Sequence, residues 1–516
     1  MNNSLKPGAM SLVLLFASMA VPAGAGTILA QAPAAPQAKA APAAEKQDVP
    51  RALPAEALSR HSVGQGESRL AYTASAGTLP LTGAKGEVTA HVFYVAYSLE
   101  PSGSASAPAR AITFVFNGGP GAASAFLHLA AMGPRGVNFS ANGAAALEPV
   151  QLADNPDTWL DFTDLVFVDP VATGYSRSAG GTEEANRAFF GVDKDADAMA
   201  DFARLYLTRA GRMLSPVFLV GESYGGFRAV HVAERLLAGG IAVRGAVLIS
   251  PALEFSLLRG NAYALLPLTL ALPSLAAAHL ELRDGLQASL DILPEVERFA
   301  GDRYLVQLAA GLKSDAEIDR TLSRYTGLPT ELIRREHGRV SVRTFAREYQ
   351  KDKDRVLSRY DGAVSAPVPQ RGEPRFDPIL DGAVAVLTPV FTHYARAELG
   401  YRTDLPYWLL NRDVSGRWDY GTSATRQGFV GALDELQKAR THNPALGVLI
   451  VHGYTDLVTP YGASKYLIGQ LAPIDTARPI ELKVYRGGHM MYLREVSRRA
   501  LAQDAREFYG SVLKGP

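Results

Sequence analysis

The chain has 516 residues, 47% of them hydrophobic, no cysteine, and a formal charge of +1. That length and apolar content suffice for a sizeable buried core, while the balanced charge argues against a nucleic-acid or membrane-surface role. Without cysteine there are no disulfides and no thiol to carry a lipid anchor, a pattern common in bacterial envelope proteins and unusual in secreted eukaryotic ones.

Residues 1–32 contain a single Lys6, an apolar stretch from Ala9 to Val21 and then small residues, with no acidic residue before Glu45. This reads as a signal peptide cleaved after Ala25 or Ala32, with a periplasmic or secreted destination and no stable membrane insertion afterwards. Residues 33–57 are rich in Ala and Pro and predict a flexible leader that cannot repay its ordering entropy.

From about residue 66 the pattern turns strand-like. Val88 to Tyr97 alternates, and short apolar runs follow at Ala111–Phe116, Asp164–Asp169, Pro216–Val220, Ala246–Ser250, Gly447–His452 and Glu481–Tyr485. Helical stretches separate many of them, which predicts an α/β protein with a mainly parallel central sheet. The strand signal fades between Ser250 and Gly447. Two core parts, 58–253 and 431–516, are therefore expected around a largely helical cap insertion, 254–430. Within it Ala262–Ala278 is apolar enough to raise the question of a membrane span. Pro267 and Pro273 predict instead a buried pair of short helices lining a pocket.

The most informative segment is VFLVGESYGG, Val217 to Gly226. A strand breaks into G-x-S-x-G and then into a helix, marked by Phe227, Val230, Ala233 and Leu237 and stopped by Gly239 and Gly240. Such a nucleophile elbow lifts a serine above the sheet edge, and Gly221 and Gly225 make room for the turn. Ser223 is the candidate nucleophile.

Three further pieces sit at strand ends. Asn117-Gly118-Gly119-Pro120-Gly121 follows an early strand, where consecutive glycines let backbone N–H groups point into an oxyanion hole. Asp456 lies just past the Gly447–His452 run, and His489 follows Gly487 and Gly488 after the last strand. The order Ser223, Asp456, His489 is that of an α/β-hydrolase fold. His452 is the nearest rival base, but it precedes the acid and falls within a strand. No HExxH, G-x-G-x-x-G or Walker pattern occurs, so neither a metal nor a cofactor is expected.

FNGGPG (Phe116–Gly121), DNPDTW (Asp154–Trp159), DLVFVDPVATGYS (Asp164–Ser176), GESYGG (Gly221–Gly226), GYTD (Gly453–Asp456) and GGH (Gly487–His489) together resemble the serine carboxypeptidase family, most closely its bacterial secreted members. The resemblance spans roughly residues 66–510 and is weakest in the insertion. It implies a peptide substrate attacked by Ser223, with His489 as general base, Asp456 fixing its tautomer, and the N–H groups of Gly119 and Tyr224 as oxyanion donors. It further implies that Asn117, Gly118 and Glu222 hold the substrate's free carboxylate. A glutamate there must share a proton with it, which favours acidic conditions. The chain departs from the family at Val115, where a tryptophan is usual, at Ala131, where a second glutamate is usual, at Ala122, which replaces a thiol, and at Pro460, which replaces an asparagine. An esterase or acyltransferase using the same triad stays open, as does a non-catalytic peptide-binding envelope protein. The proline-releasing aminopeptidases share GGPG but typically have His where Asn117 stands.

Overall fold

The computed structural model describes residues 53–66, 69–100, 109–145, 150–258, 263–313, 315–370, 376–421 and 431–515. The expected signal peptide and most of the expected leader lie outside the described residues.

Fourteen strands are described: β1 Ala57–Val63, β2 Leu70–Thr82, β3 Val88–Leu99, β4 Ile112–Phe116, β5 Arg135–Val137, β6 Leu152–Asp154, β7 Asp164–Val168, β8 Arg177–Ser178, β9 Val217–Glu222, β10 Val243–Ile249, β11 Arg355–Leu357, β12 Ser365–Pro367, β13 Gly447–Gly453 and β14 Ile480–Tyr485. The main sheet runs β1-β2-β3-β7-β4-β9-β10-β13-β14, with β8 paired to β3. Its first four strands pair antiparallel, and every neighbouring pair from β7 to β14 is parallel.

Every residue of β4, β7, β9 and β13 is buried. That is the reason these strands read as continuous apolar runs: helices cover both faces of a parallel sheet. Alternate residues feed different cores. Val115, Val220 and Val247 pack on one side of the sheet, while Phe114, Leu219 and Leu248 pack on the other with Phe227 and Val230 of the helix Tyr224–Ala238. The fold is that of an α/β hydrolase.

Strand structure begins earlier than the sequence pattern suggests. β1 starts at Ala57, the last residue of the expected leader, and Glu56 Oε1 accepts from Tyr94 Oη at 2.8 Å. The sequence ALSRHSV carries little strand signal because β1 is an edge strand held by backbone pairing to β2.

Between β10 and β13 the described residues form helices and the small β11–β12 ladder. Here one expectation is corrected. Residues Leu266–Asp284 form a single helix of 19 residues, not two short ones, and it does not line the cleft described below. Pro267 sits in the first turn, where a missing N–H costs nothing. Pro273 lies inside the helix, whose Leu272, Leu275, Ala276, Ala277 and Ala278 are buried against Val296, Phe299, Leu322 and Phe345. Packing of that apolar face outweighs the local proline penalty. Among the described residues no helix is long and apolar enough to cross a membrane.

Candidate active site

β4 and β9 are parallel neighbours with Phe116 opposite Gly221, so the NGGPG loop and the elbow leave the sheet side by side. The close approach explains the glycines. A Cβ on Gly225 would stand 2.5 Å from Phe116 O, and one on Gly118 would stand 2.6 Å from Glu222 O and 2.7 Å from Tyr224 N. Ser223 itself is held at φ 58°, ψ −122°, a conformation that L-residues avoid. Its surroundings over-determine it: its N–H donates to Ile249 O at 2.9 Å, and its carbonyl accepts from Gly226 N at 3.0 Å and Ala252 N at 3.2 Å.

Asp456 and His489 arrive from the loops after β13 and β14. His489 Nδ1 lies 2.9 Å from Asp456 Oδ2, and both side chains are buried. The other oxygen, Oδ1, accepts from the N–H groups of Val458 at 2.8 Å and Thr459 at 2.9 Å. Burial works against charge on Asp456, yet His489 and His452 outweigh it and hold the carboxyl below its ordinary range. Burial likewise opposes charge on His489, but Asp456, with Glu222 behind it, raises its pKa. An ionised Asp456 requires the proton on Nδ1, which leaves Nε2 free to accept. His452 is different: its Nε2 bonds Ser464 Oγ at 2.8 Å, burial lowers its pKa, and it does not line the cleft.

Ser223 and His489 open into a cleft of about 280 Å³ together with Gly118, Gly119, Glu222 and Tyr224. Six of the eight residues expected at the site thus meet there, and Asp456 joins through His489. Asn117 does not line the cleft. It lies beneath Glu222, donating from Nδ2 to Glu222 Oε2 while its Oδ1 accepts from Leu127 N at 3.1 Å. Burial pushes Glu222 up to about 7, against the pull of His489, Tyr492 and Asn117.

Four neighbours escaped sequence reading. Thr459 Oγ1 sits 2.8 Å from Asp456 Oδ2, 3.0 Å from His489 Nδ1 and 2.9 Å from Ser250 O, bracing acid and base together. Its place three residues after the acid was a usable signal. Tyr492 donates to Glu222 Oε1 at 2.8 Å. Arg359 and Tyr360 reach the cleft from the insertion, where the surrounding charge gave no hint of a site. Among the described residues no cluster of His, Asp or Glu is arranged to hold a metal.

Residues 73–242, which include NGGPG and the elbow, match the family model described as Serine carboxypeptidase. Over that third of its length the chain is similar to the serine carboxypeptidase family. No curated protein matches this chain. Among solved structures it is similar to Kex1(Δ)p, a prohormone-processing carboxypeptidase from Saccharomyces cerevisiae, at 15% identity and TM-score 0.54, covering 85% of this chain and 91% of that one. Proline iminopeptidase from Mycobacterium smegmatis also matches, at 16% identity, coverage of 88% and 99%, and TM-score 0.33. So does a carboxyl esterase from Bacillus coagulans, at 12% identity, coverage of 85% and 98%, and TM-score 0.34. At 15% identity the likeness to the first of these is one of fold.

Proposed function

We propose that the protein is a secreted bacterial carboxypeptidase that removes C-terminal residues from peptides through an acyl-enzyme on Ser223. The observation that carries this reading is the convergence of a strained serine, an Asp456-paired His489 and a buried Glu222, whose pKa burial raises to about 7, on one cleft.

In this mechanism His489 Nε2 takes the Ser223 Oγ proton as Oγ attacks the last peptide carbonyl. The N–H groups of Gly119 and Tyr224 receive the developing oxyanion, each such donor contributing about 3 kcal/mol. Asp456 fixes the imidazole and stabilises its charged form. His489 then hands its proton to the departing amine, and water, deprotonated by the same imidazole, releases the acyl group. Glu222, protonated below about pH 7, donates to the substrate's carboxylate, which favours exopeptidase action in acid.

Product analysis of a mixed peptide pool tests this reading. Loss of single C-terminal residues with wild type and none with Ser223→Ala is the expected result. Equal rates on C-terminal acids and amides would sink the exopeptidase assignment, and failure of a fluorophosphonate to label wild type would sink catalysis by Ser223.

A further inference from the structure

The insertion sends one short segment, residues 358–361, between the loops that carry Asp456 and His489. Its backbone is tied at every step. Arg359 N–H donates to Asp377 Oδ2 at 3.0 Å, and Arg359 O accepts from Leu457 N at 3.1 Å. The next carbonyl, Tyr360 O, accepts from His489 N at 2.6 Å. Ser358 Oγ receives the N–H groups of Tyr360 and Asp361, both at 3.0 Å. Asp361 is gripped in turn by Arg494 Nη2 and Thr455 Oγ1, each at 2.6 Å.

This bracing presents a side chain that has nothing to hold. The Arg359 guanidinium is exposed, lines the cleft, and makes no hydrogen bond or ion pair among the described residues. Among the described residues no other Arg or Lys lines that cleft. Meanwhile the groups that the family resemblance assigns to the substrate's carboxylate are partly engaged: Asn117 Nδ2 is bonded to Glu222 and absent from the cleft, and a buried Ala131 stands where a second carboxyl is usual. The cleft therefore offers a carboxylate a guanidinium whose backbone is braced and whose head has no hydrogen-bond or ion-pair partner among the described residues.

We infer that Arg359 binds the free α-carboxylate of the substrate's last residue. The inference rests on the proposed carboxypeptidase reading and deepens it. A guanidinium fork matches a carboxylate in shape and can make two parallel hydrogen bonds to it. Position selects the α-carboxylate over an acidic side chain. Arg359 belongs to the segment hydrogen-bonded to the main chain of His489, and the leaving amine must depart beside His489 to collect its proton. In a carboxypeptidase that amine belongs to the residue bearing the α-carboxylate.

The test measures binding, so it does not depend on turnover. In a Ser223→Ala background, calorimetry gives Kd for an N-acyl dipeptide as the free acid and as the C-terminal amide, with Arg359, Arg359→Gln and Arg359→Lys. The acid should bind about tenfold or more tighter than the amide when Arg359 is present, with the preference mostly lost in Arg359→Gln and partly restored in Arg359→Lys. An unchanged acid-to-amide ratio in Arg359→Gln overturns the inference. So does a loss that instead follows an Asp or Glu side chain in amidated peptides, which would reassign the guanidinium to side-chain selection. If wild type cleaves no peptide, the functional reading fails on its own, while the Kd ratio still decides Arg359.

Discussion

Tyr492 donates its hydroxyl to Glu222 Oε1 at 2.8 Å, and Asn117 Nδ2 takes Oε2, so both oxygens of a buried carboxyl are met by neutral donors. Such donors stabilise the carboxylate without supplying a charge, and burial still pushes Glu222 up to about 7. Ala131, where the family places a second glutamate, is packed in the apolar core. Glu222 thus has a tyrosine hydroxyl and an asparagine amide as its buried hydrogen-bond partners.

Tyr492→Phe follows from that contact. Removing the hydroxyl takes away a bond that favours the ionised form, so Glu222 should hold its proton to higher pH. The rise in KM for C-terminal acid substrates, expected near pH 7 in wild type, should move upward, with no matching change for amide or ester substrates. The unsatisfied buried oxygen should also lower stability by about 1–3 kcal/mol, read from denaturant unfolding. A KM profile identical to wild type would disprove the coupling.

Glu222→Gln removes the titration while keeping the contacts, since its carbonyl can accept from Asn117 and its amide can donate to the Tyr492 hydroxyl. KM for acid substrates should lose its dependence on pH between 5 and 8. Stability changes in a defined direction. A carboxyl at about 7 in the folded protein and 4.5 in the unfolded chain destabilises progressively as pH rises from the lower value to the higher. The wild type therefore loses up to about 3 kcal/mol across that window, and Glu222→Gln should lose less. Parallel curves of unfolding free energy against pH would refute the assignment.

The residues that sequence revealed are those whose chemistry needs a local pattern. Ser223 demands glycines at 221 and 225 because Phe116 O and the helix backbone crowd them, and that need is written in five consecutive letters. Asp456 and His489 follow buried parallel strands whose apolar runs announce them. Tyr492 and Arg359 obey no such rule. They meet the site through packing across 270 residues in one case and through a braced loop in the other. The expected pair of buried short helices is one continuous helix, Leu266–Asp284, for a related reason, since burial of its apolar face overrides a proline that acts locally. β1 was missed because an edge strand is specified by its partner more than by its own residues.

Asp456→Asn isolates the tautomer. Oδ1 is fixed by the N–H groups of Val458 and Thr459, so the variant's oxygen must stay there and its amide must face His489 Nδ1. That places a donor against Nδ1, moves the imidazole proton to Nε2 and leaves no base for Ser223. The expected fall in kcat is about 10⁴-fold, the size known for this change in a trypsin-type triad, with KM little altered. Partial recovery at high pH, as hydroxide assists, would fit; a fall under tenfold would remove His489 from the role of base.

Arg494→Met tests whether the insertion supports the catalytic loops. Arg494 is buried between Glu281 Oε1 at 2.7 Å, from the long insertion helix, and Asp361 Oδ2 at 2.6 Å, from the segment that contacts His489. Methionine fills similar volume but strands two buried carboxyls, a loss of about 3–5 kcal/mol. Burial already raises the pKa of Glu281 against the opposing pull of Arg494, so without that arginine Glu281 should take up a proton more readily. The Tm deficit of the variant should consequently be large at pH 8 and smaller at pH 5. Because Asp361 also receives Thr455 Oγ1 and Tyr360 O receives His489 N, kcat should fall with KM for ester substrates little changed. A deficit in Tm that is equal at both pH values would show that the arginine contributes packing alone.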